Sequence, residues 1–195
     1  MAVSEVSICS NALRRLGQSP ISSLTETTVN ASRCNDMWPT VRDMILRAKL
    51  WNCCKARVLL PPLAEADPLG EWQNQFQKPG DWLRTVRVGK EGYETLFKDE
   101  GGKFLADESA LPVLYIFRNT NAATYDSGLV LTLELAMKAA MAYAVTKSAQ
   151  VEATALAELK ASLVQAGAIS SQDDGPEDIG AFDLMGARFR TLSLS

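Results

Sequence analysis

The chain has no histidine. That removes the commonest general base and the commonest metal ligand together, so Ser-His-Asp and Cys-His arrangements are excluded. Cysteine is sparse: Cys9, Cys34, Cys53 and Cys54 form no CxxC pair and no metal-ligand spacing. The vicinal Cys53-Cys54 reads as buried thiols acting as small apolar side chains in a reducing compartment. No phosphate-cradling loop is present. Gly101-Gly102, though followed by Lys103, matches neither GxxxxGK[ST] nor GxGxxG and reads as a hairpin turn. Paired acids are confined to turn-like sites, Asp99-Glu100 and Asp107-Glu108, where solvation explains them. The N-terminus lacks an apolar core and does not read as a signal peptide. The longest apolar stretch, residues 128–146, is interrupted by Glu134 and Lys138, spaced to pair along one helix, and reads as a core helix rather than a membrane span. These gaps predict a protein that is not an enzyme, with no metal, no cofactor and no membrane partner.

What is present suits a globular fold: 195 residues, 47% apolar and 22% charged. Net charge is −3 but unevenly spread, with +4 in residues 1–60, −4 in 61–126 and −3 in 127–195. No segment is basic enough to predict tight duplex binding by phosphate neutralisation. The organising stretch is Ala31–Arg57. Ala31, Cys34, Trp38, Val41, Ile45 and Ala48 recur at alternating spacings of three and four, which traces one stripe of a helix. The opposite face carries Arg33, Asp36, Thr40, Arg42, Asp43, Arg47 and Lys49. Pro39 interrupts this pattern without shifting it and predicts a kink in a continuing helix that ends near Trp51-Asn52.

A first helix is expected over Ser4–Leu16, with Val6, Cys9, Leu13 and Leu16 on one face, Arg14 and Arg15 in its last turn and Gly17 closing it. Ser23 with Glu26, or else Thr25, is positioned to cap the central helix. Beyond Arg57 the period falls to two. Val58–Leu60, Trp72–Gln77, Leu83–Val88 (with Arg84 and Arg87 at least partly facing water), Tyr93–Lys98, Lys103–Ala106 and Val113–Arg118 read as short strands of a small antiparallel sandwich or barrel. Trp72, Phe76 and Trp82 can stack bases, but core packing is the preferred reading. A third helix, capped by Asp126 or Ser127, runs to about Lys147, with Leu131, Leu135, Lys138, Met141, Ala142 and Val145 along one side. A fourth covers Val151–Ala166, with Leu156, Leu159 and Leu163 inward, and Gly167 ends it.

Residues 170–180 carry four acids and read as a flexible linker. The apolar segment behind them either folds back or docks on another chain. Docking is preferred, through Phe182, Leu184, Met185, Arg188, Phe189, Arg190, Leu192 and Leu194. The whole reads as an α+β protein: a four-helix bundle-like core from 1–57 and 125–168, an inserted antiparallel β domain at 58–124, and an acidic linker with a docking arm at 169–195. The outward cations Arg33, Arg42, Arg47 and Lys49 are either a solvated face or the contact with an acidic neighbour.

Ala12–Leu24, Ala31–Arg57 and Gln75–Arg84, through Leu16-Gly17, Pro20-Ile21, Pro39, Arg42-Asp43, Leu46, Trp51, Pro79, Asp81 and Leu83-Arg84, resemble the tail tubular protein A family of tailed phages. The likeness covers about residues 5–150, with Leu114-Tyr115-Ile116, Tyr125-Asp126 and the Ala-rich helix after them also in place. It departs at Trp38, where tyrosine is frequent, and at Cys53-Cys54, where Phe-Ala is usual. The resemblance implies a virion neck protein: a head-to-tail adaptor ring of typically twelve copies under the portal protein. Such a ring extends the channel for double-stranded DNA and carries the tail proteins. A stopper-type neck protein and a small nucleic-acid-binding module are the alternatives.

Overall fold

A computed structural model describes residues 3–65, 67–90 and 92–173. Among the described residues, four helices and two small antiparallel sheets make a mixed α and β fold. Helix α1, Glu5–Arg15, starts at Ser4, whose hydroxyl accepts from the Ser7 backbone N–H while the Ser7 hydroxyl answers the Ser4 N–H. It stops in a Schellman turn. Gly17 takes φ +72°, its N–H reaches the Arg14 carbonyl, and the Gln18 N–H reaches Leu13.

Helix α2, Val29–Ala48, carries Pro39 within it and continues through, as the periodicity requires. Its ends differ from expectation. The N-cap is Thr28, which accepts from the Ala31 N–H at 3.2 Å. Glu26 instead braces the preceding loop, accepting from the Ser22 N–H and hydroxyl and from the Thr28 hydroxyl. These donors hold its carboxyl down at about 2. At the other end, Lys49 turns extended and the buried Trp51 indole donates to the Ile45 carbonyl at 3.0 Å. Tryptophan thus takes the acceptor that a further helical turn would have used, and the helix ends at Ala48. Ala48 is exposed, and Leu46 is buried beside Ile45.

Helix α3, Ser127–Thr146, begins on Asp126, which accepts from Leu129 at 2.7 Å, and closes on Lys147 at φ +55°. It packs against α1, α2 and helix α4, Ala149–Asp173. Enclosure on several sides explains why no single stripe describes it: the consecutive residues Thr132, Leu133, Glu134, Leu135, Ala136 and Met137 are all buried, whereas Leu131, on the same side as Leu135 in the sequence reading, is 42% exposed. Glu134 and Lys138 do not pair with each other. Glu134 accepts from Asn11 at 2.7 Å and from Arg15 at 3.0 Å on α1, and Lys138 meets Glu158 at 2.6 Å on α4. Helix α3 is long and apolar enough to cross a membrane by length and composition, and these neighbours are what cover it. On α4 the inward line is Ala155, Leu159, Ser162 and Leu163. Leu156 is 52% exposed, and the helix passes through Gly167 to Asp173.

Between α2 and α3 the described residues form seven strands: β1 Lys55–Leu60, β2 Asn74–Gln77, β3 Trp82–Lys90, β4 Tyr93–Glu94, β5 Lys98–Glu100, β6 Lys103–Ala106 and β7 Leu111–Phe117. One sheet has the order β1-β7-β3-β4 and the other β2-β6-β5. Gly101 and Gly102 both take positive φ in the two-residue β5–β6 turn, as a type I′ hairpin demands. Leu60, Phe76, Val88, Phe104, Leu111, Val113 and Tyr115 form a small core between the sheets. Ile116 and Leu83 belong to the helical core instead. The four-stranded sheet is therefore a middle layer, with helices on one face and the three-stranded sheet on the other.

Candidate functional site

Residues directly opposed across an antiparallel pair share a face of the sheet. On the helix side of the four-stranded sheet this aligns two rows across β1, β7 and β3. The first is Lys55, Ile116 and Arg84, and the second is Arg57, Leu114 and Arg87. Each row is a cation, an aliphatic residue and a cation, and the rows lie about 7 Å apart along the strands. The first row runs under the end of α2, where the Arg84 guanidinium donates to the Arg47 carbonyl at 3.1 Å. The second continues past the helices into an open groove of about 280 Å³ lined by Arg57, Leu59, Arg87, Gly89, Pro112 and Leu114. Its floor is apolar and its flanks are arginine, a chemistry that suits an acidic segment with interspersed apolar side chains.

Sequence reading missed this surface for a geometric reason. Arg84 and Arg87 are three apart, which in a regular strand puts them on opposite faces. The register shift between Thr85 and Arg87 returns both to the same side. Only the alternation of Lys55, Arg57 and Leu59 in β1 was a visible signal.

The outward cations anticipated on α2 divide. Arg47 is exposed and borders the rows, while Arg33 and Lys49 are half-buried. Arg42 does not face outward: it is 7% exposed and donates to Asp43 at 2.9 Å, while Arg118 holds the other Asp43 oxygen at 2.7 Å. Asp43 thus bridges α2 to the chain after β7. The anticipated arm residues Phe182, Leu184, Met185, Arg188, Phe189, Arg190, Leu192 and Leu194 lie outside the described residues.

The opposite side of the β layers is acidic. Segments 63–80 and 98–110, which build the three-stranded sheet and its loops, hold seven Asp/Glu against three lysines. Lys78 is drawn inward, pairing with Asp99 and resting 3.7 Å over the Trp82 ring. Phe76 is fully buried in the core between the sheets, Trp82 packs against that core, and Trp72 is half-buried.

Cysteine chemistry offers little. Cys9, Cys34 and Cys54 are buried, and Cys53 is half-buried with its sulfur 3.7 Å from that of Cys54. The hydrogen bond with Cys53 and burial push the Cys54 thiol up, so it stays protonated. Among the described residues no cluster of three or more Cys, Asp or Glu is arranged to hold a metal ion. No protein-family model matches the chain, and no curated protein matches it.

Proposed function

We propose that this chain is a structural virion protein, a head-to-tail adaptor that forms a ring of twelve copies under the portal protein. In this reading the ring extends the DNA channel and carries the tail proteins. The finer architecture belongs to the same proposal: a four-helix bundle-like core, an inserted β domain, and a C-terminal arm from residue 181 that docks on the portal.

The observation that carries the reading is the charge polarity of the β layers. Lys55, Arg57, Arg84 and Arg87 sit on the helix side of the four-stranded sheet, and an acidic sheet covers the other side. Opposite charges on opposite sides of one body favour a head-to-tail contact between copies, the heterologous type that closes into a ring. Arg33, Arg47 and Lys49 extend the cationic side along α2. Such a contact weakens as salt shortens the Debye length to about 3 Å at 1 M. The negative net charge suits a channel through which DNA passes without adhering.

The test is negative-stain microscopy with mass determination on the purified protein, alone and mixed with the portal protein encoded in the same genome. A ring stacked coaxially on the portal, preformed or assembled on mixing, is the expected outcome. A monomer that ignores the portal would overturn the adaptor role and favour a stopper-type position elsewhere in the neck.

A further inference from the structure

We propose that copies of this chain join through the two open edges of the four-stranded sheet, β1 of one copy taking residues 93–97 of the next as an added strand. The contact rests on the assembly of copies proposed above and names the surface that makes it.

The first argument is strand direction. The sheet has the order β1-β7-β3-β4, and each neighbouring pair is antiparallel. Strand β7 takes one side of β1, and no described strand takes the other. At the far end β4 pairs only with β3, through Gly89 with Glu94 and Lys90 with Tyr93. Directions alternate across four strands, an even number, so β4 runs opposite to β1. A second copy set beside the first without turning over therefore lays its β4 antiparallel to the first copy's β1. The same step repeats from copy to copy, which is the heterologous geometry that closes into a ring. Unpaired backbone donors and acceptors make such an edge a template for an added strand. Strand β1 offers six residues in unbroken register with β7, with no bulge and no proline before Pro61-Pro62 end it.

The second argument is what the two edges expose. On β1, Leu59 is 63% exposed and Arg57 is exposed two residues before it. At the other edge Tyr93 is exposed and Leu96 is 83% exposed. Phe97 sets its ring edge-on to Phe104 at 5.9 Å and still keeps an exposed side. Each edge thus presents apolar surface where an edge strand is ordinarily guarded by charge. Charge selects how the edges join. Two β1 edges would bring Arg57 of one copy towards Arg57 of the other, and like charges across a strand pair are destabilising. Residues 93–100 hold three acids and one lysine. Strand β5 follows β4 after three residues, so the acidic three-stranded sheet ends on the β4 side. Joining β1 to β4 sets a cationic edge against an acidic one. Asp99 and Glu100 already meet Lys78 and Lys98, so charge here fixes which edges pair, and the apolar side chains supply the affinity.

Sedimentation velocity on the full-length protein reads the contact, with substitutions at exposed positions that leave the core untouched. Circular dichroism reports that each variant folds. The wild-type chain should self-associate as its concentration rises towards millimolar. Leu59→Glu and Leu96→Arg should each weaken that association about tenfold, the first by repulsion from the acidic stretch and the second by repulsion from Arg57. The double variant should recover to within about threefold of wild type, and so should an equal mixture of the two single variants. Association that falls with Leu59→Glu but ignores Leu96→Arg would overturn the proposal in favour of β1 pairing with β1. Two weakened single variants with no recovery in the double variant would also overturn it. A wild-type chain that stays monomeric at millimolar concentration would do the same, and if that chain still built a ring on the portal protein, the adaptor reading would stand without this contact. The full pattern in a protein that ignores the portal would keep the contact and remove the adaptor.

Discussion

The two ionised residues inside α3 give a quantitative test of the packing. Glu134 has a side chain 10% exposed and bonds to Asn11 and Arg15, and Lys138, 13% exposed, bonds to Glu158. Replacing Glu134 by alanine removes two charge-assisted hydrogen bonds that are each worth roughly 1.5–3 kcal/mol when buried. Arg15 keeps 41% of its exposure, so its share falls to the range of a surface pair, below about 1 kcal/mol. The expected loss is about 2–3 kcal/mol, a fall in melting temperature of about 4–12 °C for a chain of this size. Double-mutant cycles read by urea denaturation then apportion it. Coupling of about 0.5–1 kcal/mol is expected for Glu134 with Arg15 and for Lys138 with Glu158, and near zero for Glu134 with Lys138. An intrahelical pair would instead give about 0.3–0.5 kcal/mol. Coupling of about 0.3–0.5 kcal/mol between Glu134 and Lys138, with none for either cross-helix pair, would refute the arrangement described.

Three other perturbations address local structure. Trp51→Phe keeps most of the apolar bulk but orphans the buried Ile45 carbonyl, and should cost about 1–3 kcal/mol by urea titration. A neutral substitution would show that the indole does not hold the end of α2. Gly102→Ala meets open space at φ +78°, so only the left-handed backbone resists it and the loss should be about 1–2 kcal/mol. Gly89→Ala should cost more in the same assay, because its Cβ would stand 2.7 Å from the Tyr93 carbonyl oxygen. Glu26 has a folded-state carboxyl at about 2, below its ordinary value, so its contribution is present above about pH 4.5 and is lost as pH falls towards 2. Glu26→Gln should flatten that part of the stability–pH curve, and an unchanged acid limb would show that the loop bonds do not contribute.

Local chemistry made the helix beginnings legible where a cap and a period coincide, as at Ser4 and Asp126, and it placed the β5–β6 hairpin at its glycines. It failed wherever a distant residue decides. Helix α2 ends early because Trp51 folds back. Arg42 goes inward because Asp43 beside it supplies the counter-charge, in a carboxylate that Arg118 holds from its other oxygen. The stripe on α3 blurs because three helices enclose it. The cation rows belong to the same class. Lys55 and Arg57 are some thirty residues from Arg84 and Arg87. Only β7, pairing with both strands, sets them side by side, and only a bulge turns Arg87 to the face that Arg84 shares.

The pairing of Lys55 with Ile116 has a consequence for how the chain can be rearranged. The strands between α2 and α3 depart and return at the two sides of one rung, about 5 Å apart. A cut at both sides of that rung, rejoined by a two- to five-residue turn, would leave the helices connected with little added loop entropy. The obstacle is Leu83 and Ile116, two side chains of the strand region that complete the helical core. A shortened chain would need apolar replacements for those two and for Val86, which packs against the same core. The β region is therefore separable in connectivity but tied in packing to the helices by Leu83, Val86 and Ile116, so exchange for a differently charged sheet pair would have to keep those three positions apolar.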